Sequence, residues 1–371
     1  MKTLLVQDKL RSGAETLASL ESKYAVTAKR HGKYPNLVQL KYDQIASPMG
    51  DPVVQECRGL ILDEADNWRV VAYPFTKFFN LGEPNAHEVD WSTARVNEKL
   101  DGSLAIVYFY DGAWHMATSG TPDASGPVGD WGMTFKDLFW DTFKAMGYST
   151  DLLVEWNTYM FELMTPENRV VVPHKDRRLV LIGCRDLITG EELDIHHKQY
   201  TIFSGFQVVK TFNHKTPEAV LASFETIDGL HQEGYVVVDA NFRRVKVKHP
   251  KYVLYHQTLG SLSKKKLLDI VRRGETPEFL TYFPEWSEEA QRLEAGLKKL
   301  VQDSMEAYRP IQDIPVQKDF ALAATKTPYS SAMFAVRSKK ALNFAEYYQT
   351  LRLETLAGML GVKDAAPTPN A

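Results

Sequence analysis

The chain has 371 residues, of which 44% are hydrophobic and 25% are charged. This composition excludes a chain that is disordered throughout, and the length predicts two domains at roughly 150 residues each. The formal net charge is −3, with 27 basic and 33 acidic residues up to residue 250 and 17 against 14 thereafter. Proteins that coat nucleic acid non-specifically usually carry a marked basic excess. Any site for a polyanion must therefore be local.

The cysteine content and the N-terminus bear on the cellular compartment. Cys57 and Cys184 are too few for a disulfide framework or a zinc site. The N-terminal stretch MKTLLVQDKLRSGAE has only a short apolar patch ahead of Asp8 and Lys9, unlike a signal peptide or a membrane span. We therefore expect structural thiols in a cytoplasmic protein without a membrane association.

Short strand-like runs dominate the first two thirds of the chain. These runs are rich in β-branched and aromatic residues and are bounded by Gly, Asp or Pro. They are RGLILD, WRVVAYP, SLAIVYFY, RLVLIG and GYVVVD. Helical patterns are sparse in this part, with DLFWDTFKAM around residues 137–146 as one candidate.

The pattern changes to a helical period after about residue 255. The stretch SEEAQRLEAGLKKLVQDSMEAY predicts an amphipathic helix behind a Ser287 cap. SKKKLLDIVRRG and NFAEYYQTLRLETLAGMLG end at Gly274 and Gly361, as glycine-capped helices do. We predict an all-helical C-terminal domain over residues 255–361 and a disordered tail over residues 362–371.

Basic residues occur in two arrangements that suit phosphate chemistry. In NEKLDGSLAI, Lys99 precedes an Asp-Gly-Ser turn and an apolar strand. A lysine is a nucleophile only as the free amine, which burial or neighbouring positive charge favours. In FRRVKVKHP, strand alternation puts Arg244, Lys246 and Lys248 on one face, which aims two or three cations at a single point. The alternative is a solvated edge strand, where lysines discourage pairing between edges.

Two carboxylates lie among aromatic and strand-forming residues. Glu162 in YMFELMTPENR and Glu233 in HQEGYVVVD each need a partner there, which could be a ribose hydroxyl, a metal ion or a basic side chain. A structural ion pair is the alternative for each. Asp101 could equally be an ordinary turn residue, because Asp-Gly is a favoured turn dipeptide.

Four of these stretches occur in a fixed order that points to one superfamily. Lys99-Leu-Asp-Gly-Ser is followed by Phe161-Glu-Leu, Glu233-Gly-Tyr and Val245-Lys-Val-Lys. Together they resemble the motifs of ATP-dependent nucleic-acid ligases and capping enzymes. More narrowly, the chain resembles the phage T4-type RNA ligases that join single-stranded RNA, because ECRGLIL, KFFNLGE and ELMTPENRVVV also fit. The similarity runs from about residue 50 to residue 255.

The resemblance implies a fold and a reaction. The fold is α+β, a ligase-type nucleotidyl-transferase fold with antiparallel sheets over residues 1–254, followed by the helical domain. The reaction joins RNA 5′-phosphate and 3′-hydroxyl ends through a lysyl-AMP intermediate, with ATP and Mg²⁺ or Mn²⁺. The resemblance also points towards cleaved tRNA anticodon loops in phage-infected bacteria, and we expect a monomer in the cytoplasm.

The resemblance also implies a role for each matching residue. Lys99 would attack the ATP α-phosphate, Glu162 would hold the ribose, and Glu233 would hold the metal ion. The other implied residues are Arg58 and Lys77 on the phosphates, Phe79 near the nucleotide, Lys246 and Lys248 on the α-phosphate, and Asp101, Gly102, Gly234 and Tyr252 around the pocket. One departure concerns Ser119 in ATSG, where the family pattern has a lysine. The contact to the β- and γ-phosphates would then come from elsewhere.

Two other classes of function stay open. A DNA ligase or a GTP-using capping enzyme usually appends a β-barrel where this chain has a helical pattern. An inert RNA-binding module that kept the fold would have no use for Lys99, Glu162, Glu233, Lys246 and Lys248 together. The absence of a GxxxxGK[ST] stretch argues against a P-loop enzyme.

Other conspicuous residues have competing interpretations. The pair His196 and His197, just before Lys198, favours a surface turn over a zinc site, since no partner cluster has ligand spacing. The basic runs 264–266 and 272–273 are a solvated helix face or contacts to the RNA backbone. Trp131 and Trp140 are expected to pack in the core.

Overall fold

The computed structural model describes residues 3–257 and 263–362, apart from Asp130, Arg169, Val171, Pro173, Lys198, Asp228 and Leu230. The chain forms two compact units. The first contains residues 1–42 and 47–256, and the second contains residues 43–46 and the chain from residue 257. The ranges 1–254 and 255–361 stay predictions as functional domains. The predicted disordered tail was wrong at Val362, which is buried in the core of the second unit, and the rest of the tail lies outside the described residues.

The first unit is mainly β-structure. Its described strands, in chain order, are β1 (Val26–Arg30), β2 (Leu37–Tyr42), β3 (Arg58–Asp63), β4 (Arg69–Ala72), β5 (Phe79–Asn80), β6 (Arg95–Lys99), β7 (Ser103–Tyr110), β8 (Ala113–Ala117), β9 (Asn157–Met164), β10 (Arg178–Asp186), β11 (Glu192–Leu193), β12 (Thr211–Phe212), β13 (Gly234–Val238) and β14 (Arg244–Lys248). Short helices accompany them: α1 (Leu5–Arg11), α2 (Leu17–Tyr24), α3 (Pro52–Glu56), α4 (Phe135–Ala145), α5 (Pro217–Ser223) and α6 (Pro250–Gln257).

These strands form three sheets. The first sheet has the order β1-β2-β3-β4, the second β11-β10-β9-β7-β8, and the third β12-β6-β13-β14-β5. Neighbouring strands are antiparallel, except that β5 runs parallel to β14. The predicted α+β fold with antiparallel sheets followed by helices is confirmed.

Several predicted elements coincide with observed ones because their periodicity is local. RGLILD is β3, SLAIVYFY is β7, and the helix predicted at 137–146 is α4, which Thr134 caps through the backbone N–H of Asp137. β4 is shorter than WRVVAYP, because Trp68 has a φ of +57° in the preceding turn. Trp140 packs on the core as predicted, whereas Trp131 is 61% exposed, so that prediction was wrong.

The second unit is helical in the described residues. Its helices are α7 (Lys264–Arg272), α8 (Thr276–Tyr282), α9 (Ser287–Tyr308), α10 (Gln317–Ala324), α11 (Ser330–Arg337), α12 (Phe344–Thr350) and α13 (Leu353–Met359). Leu293 and Leu297 of α9 are buried in its core, and Ile45 packs there too. No helix among the described residues is long and apolar enough to cross a membrane.

Two details of the helical prediction were wrong. Ser287 is the first residue of α9 rather than its cap, because a short 3₁₀ turn, Pro284–Trp286, leads directly into the helix. The stretch ending at Gly361 forms two helices rather than one, since Leu351 and Arg352 adopt extended ψ angles of 145° and 132° between α12 and α13.

Candidate active site

A cavity of about 630 Å³ lies in the first unit, lined mainly by the second and third sheets. A cavity of this size is within the range of sites for small molecules and cofactors. Six of the predicted site residues line it: Arg58, Lys99, Gly102, Glu162, Lys246 and Lys248. The strands that carry them therefore bring residues from four separate stretches of the sequence to one space.

Glu233 joins two of the predicted lysines. Its Oε2 lies 2.7 Å from Nζ of Lys99, and its Oε1 lies 3.2 Å from Nζ of Lys248. The Glu233 side chain is 5% exposed, whereas that of Lys99 is 20% exposed. One buried carboxylate thus orients two ammonium groups, and Lys99 keeps access to the cavity.

The register of the third sheet explains this meeting. Gly234 of β13 is opposite both Lys99 of β6 and Lys248 of β14, so the ends of three strands coincide. Gly234 has a φ of +145°, and a Cβ there would clash with the carbonyl oxygen of Val247. Only glycine accepts this conformation and this close approach.

Asp101 shapes the turn after Lys99 without lining the cavity among the described residues. Its Oδ1 accepts a 2.6 Å hydrogen bond from the Tyr252 hydroxyl, and its Oδ2 accepts one of 2.5 Å from the backbone N–H of Val172. A Cβ on Gly102 would lie 2.5 Å from the carbonyl oxygen of Leu163. Asp101 is therefore more than an ordinary turn residue, because it ties the turn to α6 and to the segment after β9.

Glu162 lies on β9 beside the lysine cluster. Its pKa is raised to about 7, mainly because the group is buried; the charges of Lys99 and Arg58 oppose the rise, and the charge of Glu233 adds to it. This carboxyl therefore exchanges its proton near neutral pH, between a form that only accepts hydrogen bonds and one that can donate.

The cationic residues of the two earlier motifs, Arg58 and Lys77, contact aromatic rings. Arg58 begins β3 with its guanidinium 5.1 Å from the centre of the Phe78 ring, and its Nη1 is buried without a hydrogen-bond partner among the described residues. Lys77 lies over the rings of Tyr42 and Phe79, at 5.3 and 5.4 Å. Lys77 and Phe79 are not among the described residues that line the cavity.

Two cavity-lining phenylalanines, Phe75 and Phe78, were missed by the sequence reasoning. Both lie close to Lys77 in the run YPFTKFFN, from which the resemblance selected only the last aromatic residue, Phe79. The other aromatic residues of this run could have indicated them. Phe75 is 6% exposed and stacks under the guanidinium of Arg244 at 4.3 Å.

Arg244 lines the same cavity as Lys246 and Lys248, but its guanidinium is paired with a buried carboxylate. Its Nη1 and Nη2 contact Oε1 and Oε2 of Glu192 at 2.8 and 2.5 Å, and Glu192 also accepts a 2.8 Å bond from Arg185. The edge-strand alternative was wrong, because β14 lies between β13 and β5. The arginine–carboxylate–arginine cluster connects the second sheet to the third.

The histidine pair lies at the cavity. His196 lines the cavity and is half-buried, and His197 is exposed. Burial lowers the pKa of His196. The described residues contain no group of three or more His, Cys, Asp or Glu that could hold a metal ion. The choice between a surface turn and a zinc site stays a prediction.

Basic side chains of α7 in the second unit pair with acids. Lys264 contacts Glu289 at 3.4 Å, and Arg272 and Arg273 contact Asp269 at 2.5 and 2.6 Å. These pairs favour the solvated-face interpretation. The role of these residues in RNA binding stays a prediction.

Comparisons with known proteins place the chain in a family. The RNA ligase family model matches residues 56–252, which is more than half of the chain, and the chain therefore belongs to the RNA ligase family. The RNA ligase of Rhodothermus phage RM378 is 28% identical over 290 residues, covering 60% of this chain and 65% of that protein. RNA ligase 1 of bacteriophage TS2126 is 31% identical over 156 residues, covering 38% and 37%. The chain spans between 37% and 65% of the length of four curated relatives.

Solved structures show only distant likeness. An archaeal ATP-dependent RNA ligase matches with a TM-score of 0.47 and 14% identity, covering 77% of each chain. A variant of Naegleria gruberi RNA ligase with ATP and Mn matches with a TM-score of 0.33 and 19% identity, covering 44% of this chain and 51% of that one.

Proposed function

We propose that this chain is an ATP-dependent RNA ligase that joins 5′-phosphate and 3′-hydroxyl ends of single-stranded RNA. The observation that carries the proposal is the contact of Lys99 with Glu233 and, through it, with Lys248 beside a cavity of about 630 Å³. A binding module needs basic and stacking groups, but it does not need a lysine held at 2.7 Å by a buried carboxylate.

The first step is a displacement at the α-phosphate of ATP. Nζ of Lys99 loses a proton, for which Oε2 of Glu233 is within reach at 2.7 Å. The amine then forms a bond to the α-phosphorus, the bond to the bridging oxygen breaks, and pyrophosphate leaves with the electron pair. Covalent storage of AMP divides one difficult reaction into easier steps.

The charges around Lys99 suit this step. Lys246 and Lys248 line the cavity and would stabilise the negative charge that develops on the α-phosphate, because preorganised cations need no rearrangement during the reaction. Glu162 would accept hydrogen bonds from the ribose hydroxyls in its ionised form. Gly102 and Gly234 allow the backbone to approach this closely.

This site would hold a divalent ion only if the phosphates of a bound nucleotide supplied some of its ligands. The described residues supply no cage of three ligands, and Mg²⁺ in such sites is held by one or two carboxylates together with phosphates and water. Glu233 would hold it. When bound, Mg²⁺ or Mn²⁺ would neutralise charge on the phosphates.

Two further transfers complete the reaction. The RNA 5′-phosphate oxygen attacks the phosphorus of lysyl-AMP, which releases the Lys99 amine and forms an adenylylated RNA end. The RNA 3′-hydroxyl then attacks the 5′-phosphorus, AMP leaves, and the strand is sealed. We include in the proposal a monomer that acts in the cytoplasm on cleaved tRNA anticodon loops of a phage-infected bacterium.

A DNA ligase or capping enzyme is the second candidate. In the described part of the chain after β14, the elements are helices, whereas those enzymes usually append a β-barrel. This observation favours the RNA ligase.

The proposal is tested by incubating the protein with α-labelled ATP and Mg²⁺ in the absence of RNA. We expect label on the denatured chain at Lys99, and none on Lys99→Arg, because a guanidinium stays protonated and is a poor nucleophile. Circular dichroism of Lys99→Arg controls for its fold. Absence of label on the unaltered chain with ATP and with GTP would refute a nucleotidyl transferase. Label from GTP alone would favour a capping enzyme.

A further inference from the structure

The segment that joins β9 to β10, residues 165–177, is bonded to the turn that follows Lys99. The backbone N–H of buried Val172 donates a 2.5 Å hydrogen bond to Oδ2 of Asp101, and Nε2 of His174 lies 2.6 Å from the carbonyl oxygen of Asp101. A carbonyl oxygen only accepts hydrogen bonds, so Nε2 of His174 carries a proton and donates it. The segment therefore holds Asp101 by its side chain and by its backbone.

The same segment is bonded to the start of β7. Nδ2 of Asn168 donates a 2.7 Å hydrogen bond to Oγ of Ser103, the first residue of β7. The backbone N–H of Asn168 donates to Oγ1 of Thr165 at 3.0 Å, which orients this side chain. The pairing of the strands brings the two groups together, because Ser103 lies directly opposite Leu163 of β9. The turn is therefore held on both sides of Gly102.

An ion pair joins the two ends of the segment. Nε of Arg177 donates a 2.9 Å hydrogen bond to Oε1 of Glu167, and the Glu167 side chain is only 10% exposed. The two paired residues lie on either side of Val172 and His174 in the chain. The segment is therefore a closed loop, and its bonds to the turn start from a fixed backbone.

The turn lies immediately after the proposed nucleophile. Lys99 is the last residue of β6, and Asp101 follows it by two positions. Lys99 and Gly102 line the cavity, whereas His174 and Asn168 are not among the described residues that line it. An effect of these two residues on the reaction therefore passes through the turn. A displacement of about 1 Å can slow a reaction by about 10²-fold, because the reacting atoms must lie about 3–3.5 Å apart.

We propose that His174 and Asn168 are positioning residues for the adenylylation of Lys99, which hold the turn so that Nζ of Lys99 is in line with the α-phosphate of ATP. This inference rests on the proposed function. Because neither side chain lines the cavity in the described part of the chain, loss of either bond should slow the chemical step and leave the affinity for ATP nearly unchanged.

The test measures single-turnover formation of lysyl-AMP over a range of ATP concentrations. His174→Phe keeps a ring and removes the donor to Asp101, and Asn168→Ala removes the donor to Ser103. We expect each variant to lower the rate constant at saturating ATP by about 10-fold or more. The ATP concentration that gives half of this rate should change by less than about threefold. His174→Gln, whose amide nitrogen can donate in place of Nε2, should restore most of the rate.

The matched control is Tyr108→Phe. The Tyr108 hydroxyl donates a 2.8 Å hydrogen bond to the carbonyl oxygen of Pro122, and neither residue is among the described residues that line the cavity. This variant also removes one donor to a backbone carbonyl, so it should lower the melting temperature while the rate constant stays within about twofold. All rates are measured well below the lowest melting temperature of the set.

Three outcomes would overturn the assignment. The first is that the substitutions lower only the melting temperature, as Tyr108→Phe does. The second is that ATP binding weakens while the rate constant at saturation stays the same. The third is that His174→Gln is as slow as His174→Phe. If His174→Phe does not fold, Asn168→Ala and His174→Gln still give the rate and the affinity. If the unaltered protein forms no lysyl-AMP, the proposed function itself fails.

Discussion

The hydroxyl group of Tyr252 donates a 2.6 Å hydrogen bond to Oδ1 of Asp101, although 151 positions separate the two residues. Tyr252 is 2% exposed and Asp101 is 5% exposed, so the bond lies in the interior. Asp101 follows Lys99, the last residue of β6, by two residues. The bond therefore holds the turn that follows Lys99.

Tyr252→Phe should destabilise the protein by about 1–3 kcal/mol, because a buried carboxylate oxygen loses its donor. Urea unfolding measures this loss, and formation of lysyl-AMP should slow because the turn after Lys99 is less well held. A double-mutant cycle with Asp101→Asn separates the pair from other effects. Additive losses in the cycle would show that the two side chains do not act as a unit.

Glu192→Gln should destabilise the protein by about 3–5 kcal/mol, since it leaves the buried guanidinium groups of Arg185 and Arg244 without their counter-charge. The matched control is Glu64→Gln. Oε2 of Glu64 lies 2.7 Å from Nη1 of Arg30, a distance similar to those in the buried cluster, but this pair is on the surface. That pair is exposed and should contribute about 0–1 kcal/mol. Similar losses in the two variants would contradict a special role for the buried cluster.

Glu162 should make stability depend on pH in one direction. Burial raises its pKa from 4.5 to about 7 in the folded protein, so folding favours the protonated form. The favourable contribution of Glu162 to the free energy of unfolding is fully present below about pH 4.5 and is lost as the pH rises through about 7. Relative to Glu162→Gln, the unaltered protein should therefore lose stability over this window. Urea unfolding at several pH values measures the difference, and a constant difference would refute the raised pKa.

Gly234→Ala should destabilise the protein much more than Gly13→Ala does, although both glycines have a positive φ. Gly13 has a φ of +71° and nothing within 4 Å of an added Cβ, so Gly13→Ala should cost about 1–2 kcal/mol from the backbone alone. Gly234→Ala adds a clash with the carbonyl of Val247, which precedes Lys248. We expect a lower melting temperature and loss of lysyl-AMP formation. Equal effects of the two substitutions would show that the close approach is unimportant.

Much of the local structure and part of the site follow from short patterns. SLAIVYFY is β7 because β-branched and aromatic residues suit a strand, and the alternation in RVKVK correctly put Lys246 and Lys248 on one side of β14. The motif series also predicted the RNA ligase family that the comparison shows. These features depend on neighbouring residues or on spacing along the chain.

The tertiary structure decided which distant groups meet. Alternation puts Arg244 on the same face as the lysines but cannot reveal that it pairs with Glu192, because that pairing depends on β11 lying beside β10 in another sheet. For the same reason the sequence did not indicate that Ile45 packs in the helical core or that Lys41 reaches the turn at Gly120. Periodicity determines the face on which a side chain lies, whereas long-range packing determines what lies opposite that face.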